Sequence, residues 1–252
     1  MIHYHGTPFS GRGETHPVLQ GKHAMVSYAD HADIATIAEL SSSFTVDNGA
    51  FSIWKKGGTL DLEGFASFIS TWAQHPGLDW FCMPDVIEGD DAANVKLRGE
   101  WSQMVDSKVW GLGVPIWHMH EPVAVLERLV NNFPRVALGS SGKYAVVGNN
   151  AWWGRMTEAM AVACDSEGRP KAKLHGLRML DPTIFSHLPL SSADSTNVAR
   201  NCGIDNAFKG TYVPHSKKMR AAIIMERIES HASAARWNAE SCGVKQNLEL
   251  FG

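Results

Sequence analysis

The chain of 252 residues is 44% hydrophobic and 19% charged with a formal charge of −3, the balance of a globular enzyme rather than of a disordered or fibrous chain. No run of about 18 or more uncharged apolar residues occurs, so no membrane-spanning helix is expected, and the net negative charge by itself argues against a nucleic-acid binder. The opening MIHYHGTPFSGRG has neither a basic n-region nor an apolar h-region, and no secretory leader is expected. The four cysteines, Cys82, Cys164, Cys202 and Cys242, form no CxxC pair. That spacing points away from a disulfide framework or a Cys-rich zinc site and toward a reducing cytoplasm.

In chain order, short apolar segments alternate with helical patterns. Strands are expected over Ile2–His5, Met25–Tyr28, Phe44–Asp47, Trp80–Asp85, Val114–Met119, Arg135–Gly139, Lys173–Met179 and Pro189–Asp194. Helices are expected over Asp33–Leu40, Leu62–Gln74, Ala92–Asp106, Val123–Asn132 and Trp152–Cys164, with a short element near Pro182–His187 and a closing helix from about Ser216 to Ala239. Asp61 stands where an N-cap belongs, and Pro122 sits at the first turn of the helix beginning at Val123. Eight strands alternating with helices imply parallel pairing and an α/β fold, a single (β/α)8 barrel over residues 1–252. A doubly wound open sheet is the competing architecture; the chain has no GxGxxG or GxxxxGK[ST] turn to support it.

A barrel gathers its chemistry at the C-terminal ends of its strands. Read in order, those ends carry His5, Ser27, Asp47, Asp85, His118 with His120, Ser140 with Ser141, His175, and Asp194. Asp194 lies in SSADST behind an apolar stretch, with the N-cap of a following helix as its plain alternative. Asp47 lies in VDNGAF, where Gly49 permits a sharp turn and Asn48-Gly49 is also an ordinary turn signal. Two carboxylates facing one cavity suit acid–base work at an oxocarbenium-like centre: one attacks or stabilises the carbon while the other handles the proton.

These motifs resemble a known family. VDNGAF is similar to the DSGGFQ motif of the queuine and archaeosine tRNA-guanine transglycosylases, and LSSADST to the later motif that carries their aspartate nucleophile. MPDVIEG, GVPIWHMHE and VALGSSG fall in the order of the intervening base-binding segments, so the likeness runs from about Phe44 to Thr196. HYHGTPF and GKHAMVSYA resemble a compact branch associated with phages and DNA modification. The resemblance implies Asp194 as nucleophile, Asp47 as the acid/base and base-contacting aspartate, and Asp85 as the reader of the donor edge of the base. It implies base or sugar contacts for the segment of His118 and for Ser140 and Ser141. On physical grounds His120 and His175 are further base-binding candidates, and Phe51 or Trp117 is expected either to stack on a flipped-out base or to sit in the core.

Two departures stand out. The family's zinc site is absent, since Cys202 stands alone with Cys242 forty residues later, and the chain is short for a tRNA-acting member. The expectation is therefore an enzyme without cofactor that acts on DNA: a glycosylase cleaving the N-glycosidic bond of a modified base, in phage defence. Base exchange inserting a 7-deazaguanine stays open beside it.

Two other classes compete. His3-Tyr4-His5 and His118-Met119-His120, with His175 and Asp194, resemble the metal constellation of barrel amidohydrolases. A nucleic-acid-binding barrel without chemistry is the other. Charge is uneven along the chain: residues 1–195 hold 15 Lys/Arg against 21 Asp/Glu, and residues 196–252 hold 8 against 5. Within the basic segment of about 205–240, Lys209, Lys217, Lys218 and Arg220 are expected either to contact phosphates or to form a solvated helix face.

Overall fold

The computed structural model describes residues 1–87, 89–203, 208, 210 and 212–239. Nine parallel strands with helices between them give the α/β class expected. The strands are β1 (Ile2–Gly6), β2 (His23–Ser27), β3 (Ser43–Asp47), β4 (Leu78–Cys82), β5 (Gly113–Val114), β6 (Ile116–His118), β7 (Arg135–Gly139), β8 (Lys173–Gly176) and β9 (Ser192–Ser195). The helices are α1 (Arg12–Thr15), α2 (Ile34–Leu40), α3 (Ala50–Lys55), α4 (Leu62–Trp72), α5 (Asp91–Ser102), α6 (Ser107–Leu112), α7 (Val123–Asn132), α8 (Asn150–Ala163), α9 (Pro182–Phe185), α10 (Asn197–Asn201) and α11 (Lys217–Glu229). Among the described residues, no helix is long and apolar enough to cross a membrane.

The chain forms two compact units. The larger comprises Ile2–Val114 and Asp194–Ser230; the smaller comprises Met1, Pro115–Ala193 and the chain from His231. In the larger unit the strand order is β5-β4-β3-β2-β1-β9, and in the smaller it is β9-β8-β7-β6, with the division falling inside β9. The fifth expected strand is interrupted at Pro115, which has no N–H to give to a ladder; β5 pairs with β4 before it and β6 with β7 after it.

In the larger unit both sheet faces are covered, as parallel sheets require. Ala24, Val26, Phe44, Val46 and Phe81 point one way and are fully buried. Helices α4 and α5 close that face: Phe65 lies 6.1 Å from Phe81 and 5.2 Å from Trp101 between ring centroids, and Phe44 meets Trp72 edge-on at 5.6 Å. Helix α4 begins where expected, because the Asp61 carboxylate accepts from the Gly64 N–H at 2.9 Å. In the smaller unit Val136, Ala137, Leu138 and Leu174, Leu126 and Leu129 of α7, and Trp152, Met156 and Met160 of α8 are all buried, and α7 packs against β6, β7 and α8.

The sequence reading erred at several boundaries. The expected helix Ala92–Asp106 stops at Ser102, and Asp106 instead caps a separate helix, α6, that was not expected, accepting from Val109 N–H at 2.8 Å. Short α1, α3 and α10 have too few turns to show a periodicity. The closing helix stops at Glu229 rather than Ala239; beyond it Ser233 Oγ and Ala234 N–H donate to the carbonyls of Leu190 and Leu188.

Candidate active site

The larger unit holds Asp47, Asp85 and Asp194. Thr45 pairs with Trp80 across β3 and β4, so Asp47 and Cys82, each two residues further on, project from the same sheet face. Ser27 is the register partner of Asp47, and its hydroxyl approaches Asp47 Oδ2 at 3.4 Å. Asp47 is half-buried, whereas Asp85 and Asp194 are buried. All three act on one buried group. Burial first, then the carboxylates of Asp47, Asp85 and Asp194 in turn, push the Cys82 thiol well above its ordinary pKa. Cys82 is therefore a neutral, inert group.

The plain alternatives for the two aspartates fall elsewhere. The N-cap of α10 is Thr196, and Ser195 Oγ accepts from Asn197 N–H at 3.0 Å, so Asp194 is not engaged as that helix's cap. Gly6 holds this region close to β1: a Cβ there would come within 2.9 Å of Thr196 Cγ2 and 3.2 Å of the Ser195 carbonyl oxygen. The turn after β3 is made by Asn48 and Gly49 rather than by Asp47. Gly49 has φ 74°, and a Cβ on it would lie 2.7 Å from Ala29 N, so both backbone conformation and space demand glycine.

Asn48 is the residue that sequence reading undervalued, taking it only for a turn former. It is 1% exposed. Its Nδ2 donates to Asp85 Oδ1 and to the Met83 carbonyl, both at 2.6 Å, while its Oδ1 accepts from Ala50 N–H at 2.9 Å. One buried amide thus ties the loop after β3 to the loop after β4 and fixes one oxygen of Asp85. In the sequence nothing separates this Asn from that of an ordinary Asn-Gly turn.

Phe51 on α3 is 38% exposed, enough to offer a ring face to a base. Trp117 is fully buried, with its indole N–H donating to the Pro122 carbonyl at 3.2 Å, so the alternative stacking role given to it is corrected to a core role. His5, the expected end of the first strand, lies fully buried toward α11. Its Nε2 donates to Glu229 Oε1 at 2.9 Å, and Lys22 Nζ donates to Glu229 Oε2. Burial opposes the Glu229 charge, yet hydrogen bonds from His5 and Lys22 hold its carboxyl down to about 2.

The smaller unit holds the histidine and serine set. His118 and His120 stack with centroids 5.6 Å apart, and His120 Nδ1 lies 2.8 Å from Ser141 Oγ. Ser140 Oγ accepts from Trp152 Nε1 at 2.8 Å. His175 sits within β8, fully buried, its Nδ1 2.9 Å from Ser192 Oγ on the neighbouring strand. Glu121 and Arg155 were not singled out from sequence, yet they shape this set. The buried Glu121 carboxylate accepts from His118 N–H at 2.9 Å. Arg155 donates to the Met119 carbonyl at 2.9 Å and to the Glu121 carbonyl, and its guanidinium lies 5.5 Å from the Trp117 ring centre.

Of the basic segment, Lys209 lies outside the described residues. Lys218 is exposed, and Lys217 is half-buried with Nζ 3.3 Å from Ser10 Oγ. Arg220 is corrected from a surface phosphate contact to an internal tie: it is buried, with Nε donating to the Cys202 carbonyl at 2.6 Å and Nη1 to the Pro214 carbonyl at 2.7 Å. Among the described residues no group of three or more His, Cys, Asp and Glu side chains is arranged to hold a metal ion, which leaves the amidohydrolase reading without a ligand set. Comparison of the chain with protein-family models, with curated proteins and with solved structures finds no match.

Proposed function

We propose that this chain is an N-glycosidic-bond-cleaving enzyme on a (β/α)8-barrel scaffold, acting on a modified nucleobase in DNA. The observation that carries the reading is the buried Asn48 amide, which joins the turn after Asp47 to Asp85, with the carboxylates of Asp47, Asp85 and Asp194 all acting on the buried Cys82 thiol. The ordered resemblance to the transglycosylase motifs supports the division of labour among them.

In this reading the Asp194 carboxylate attacks the anomeric carbon as the bond to the base nitrogen breaks. Asp47 gives a proton to the departing base. It then takes one from a water molecule, whose hydroxyl displaces Asp194 and leaves a C1′–OH. The balance is one water consumed, with one free base and one abasic site formed. Asp85, held by Asn48, accepts hydrogen bonds from the donor edge of the base, and Phe51 offers it an aromatic face. The target base reaches such a site only when single-stranded or flipped out.

The test is mass spectrometry of bases released from a panel of phage DNAs carrying different modifications, with abasic sites counted in the same samples. Equal amounts of free base and alkali-labile abasic sites are expected. Incorporation of labelled guanine or deazaguanine without abasic sites would convert the reaction to base exchange at the same aspartates. Release of nothing from any DNA would overturn the reading.

A further inference from the structure

Helix α3 carries more exposed aromatic surface than its fold requires. Phe51 and Trp54 are 38% and 43% exposed, three residues apart and so on one face of the helix. Their rings lie side by side, 5.9 Å between centroids and tilted by 39°. Ile53, half-buried, takes the inward position, and a Cβ on Gly58 would sit 3.1 Å from its Cγ2. Lys55 and Lys56 follow at once, both exposed, and Gly57 with φ 75° turns the chain away. The start of the helix is tied to Asp85: Ala50 N–H is held by the same Asn48 that holds Asp85, and Ile53 N–H bonds the Gly49 carbonyl at 3.0 Å.

We propose that Trp54, with Phe51, Lys55 and Lys56, forms a platform for the single-stranded nucleotides flanking the target base. Two aromatic faces beside two ammonium groups complement bases and phosphates in the arrangement that single-strand binders use, with stacking supplying affinity and the cations following the backbone. Charge complementarity singles out a nucleic-acid strand among apolar-face partners, since a hydrophobic protein groove gives Lys55 and Lys56 nothing to neutralise. The position of the platform beside a target base rests on the reading of the preceding subsection; its affinity for a strand does not.

The experiment measures binding of a fluorescently labelled 12-mer of thymidines by anisotropy over a range of salt, with base release from modified DNA followed in parallel. Trp54→Ala should weaken oligonucleotide binding between about 5- and 150-fold, the range for removing one stacking partner. Trp54→Phe should recover most of it, which a merely structural tryptophan would not do. Lys55→Ala/Lys56→Ala should lower the salt slope of log K by about 1.4, or about 0.7 for each phosphate no longer neutralised. Unchanged binding by Trp54→Ala, or a wild-type chain that binds no oligonucleotide, would overturn the platform even where base release proceeds. Binding that falls with Trp54→Ala while no DNA yields a free base would sustain the platform and remove the glycosidic chemistry.

Discussion

The two units are built by the same parallel α/β scheme, yet they hold their polar strand ends in different ways. In the smaller unit the serines and histidines are tied to neighbours: Ser140 to Trp152, Ser141 to His120, His175 to Ser192, and the His118 amide to Glu121. In the larger unit the carboxylates of Asp47, Asp85 and Asp194 all act on the buried Cys82 thiol, and Asp85 is positioned by a buried amide that is itself fully engaged. Hydroxyl–imidazole pairs satisfy their own hydrogen bonds, which carboxylates set near one another cannot do among themselves when both are charged. On the proposed reading the acidic unit would carry the chemistry, while the polar strand ends of the other are engaged with their neighbours.

The strongest way to break that comparison is Asp194→Ala. Base release should fall by about 10⁴-fold or more, as for loss of a nucleophile, while circular dichroism and denaturation remain native. Near-wild-type turnover by the folded variant would move the chemistry out of this cluster. Asp47→Asn should reduce kcat by about 10²–10⁴-fold, since an amide cannot shuttle the proton, and the limb of the pH–rate profile due to Asp47 should vanish. An unaltered profile returns Asp47 to a place in the sheet.

Asn48→Ala sharpens the comparison, because it leaves all three carboxylates in place but frees Asp85 and the Met83 carbonyl. A loss of about 10–100-fold in kcat/KM, the size seen when an orienting partner is removed, together with about 1–3 kcal/mol of stability, is expected by single-turnover kinetics and urea titration. A stability loss with normal kinetics would make Asn48 a turn residue only.

In the smaller unit, Arg155→Ala strands the Met119 and Glu121 carbonyls and should cost about 1–3 kcal/mol, read as a lower denaturation midpoint. No change would deny the structural role assigned to that unit's polar ends.

The smallest effect is expected at Glu229. Its carboxyl is held down to about 2 from an ordinary 4.5, so its contribution is present above pH 4.5 and is lost as the pH falls toward 2. Glu229→Gln should be less stable than wild type by about 1 kcal/mol near pH 6, and the two midpoints should converge as the pH approaches 2. A gap that persists in acid would show that the residue acts through packing rather than charge.

Most of the architecture was legible in the chain. Arg135–Gly139 and Val123–Asn132 fall where the apolar pattern put them, to the residue, because a buried parallel strand and an amphipathic helix both leave a long periodic trace. Asp61 as a cap was equally visible, since capping is a contact between residues three apart. The short helix Ala50–Lys55 was not: six residues show no period, and the amide that anchors it looks in sequence like any Asn-Gly turn.

At the site, the residue types and their order along the chain were set by the sequence itself: Asp47 at the end of β3, Asp85 in the loop after β4 and Asp194 in β9, with Gly49 where φ is positive. Which polar residues are occupied by their neighbours was decided only by the tertiary structure. Arg220 and Lys218 are alike as charges in a basic segment, yet one is buried against the carbonyls of Cys202 and Pro214 and the other is exposed. His5 and His175 end or line strands as His118 does, yet Glu229 and Ser192 claim their ring nitrogens. Local pattern records which face a residue takes, because period is a property of the backbone. A hydrogen-bond partner dozens or hundreds of residues away leaves no period, and it exists only once the strands are in register.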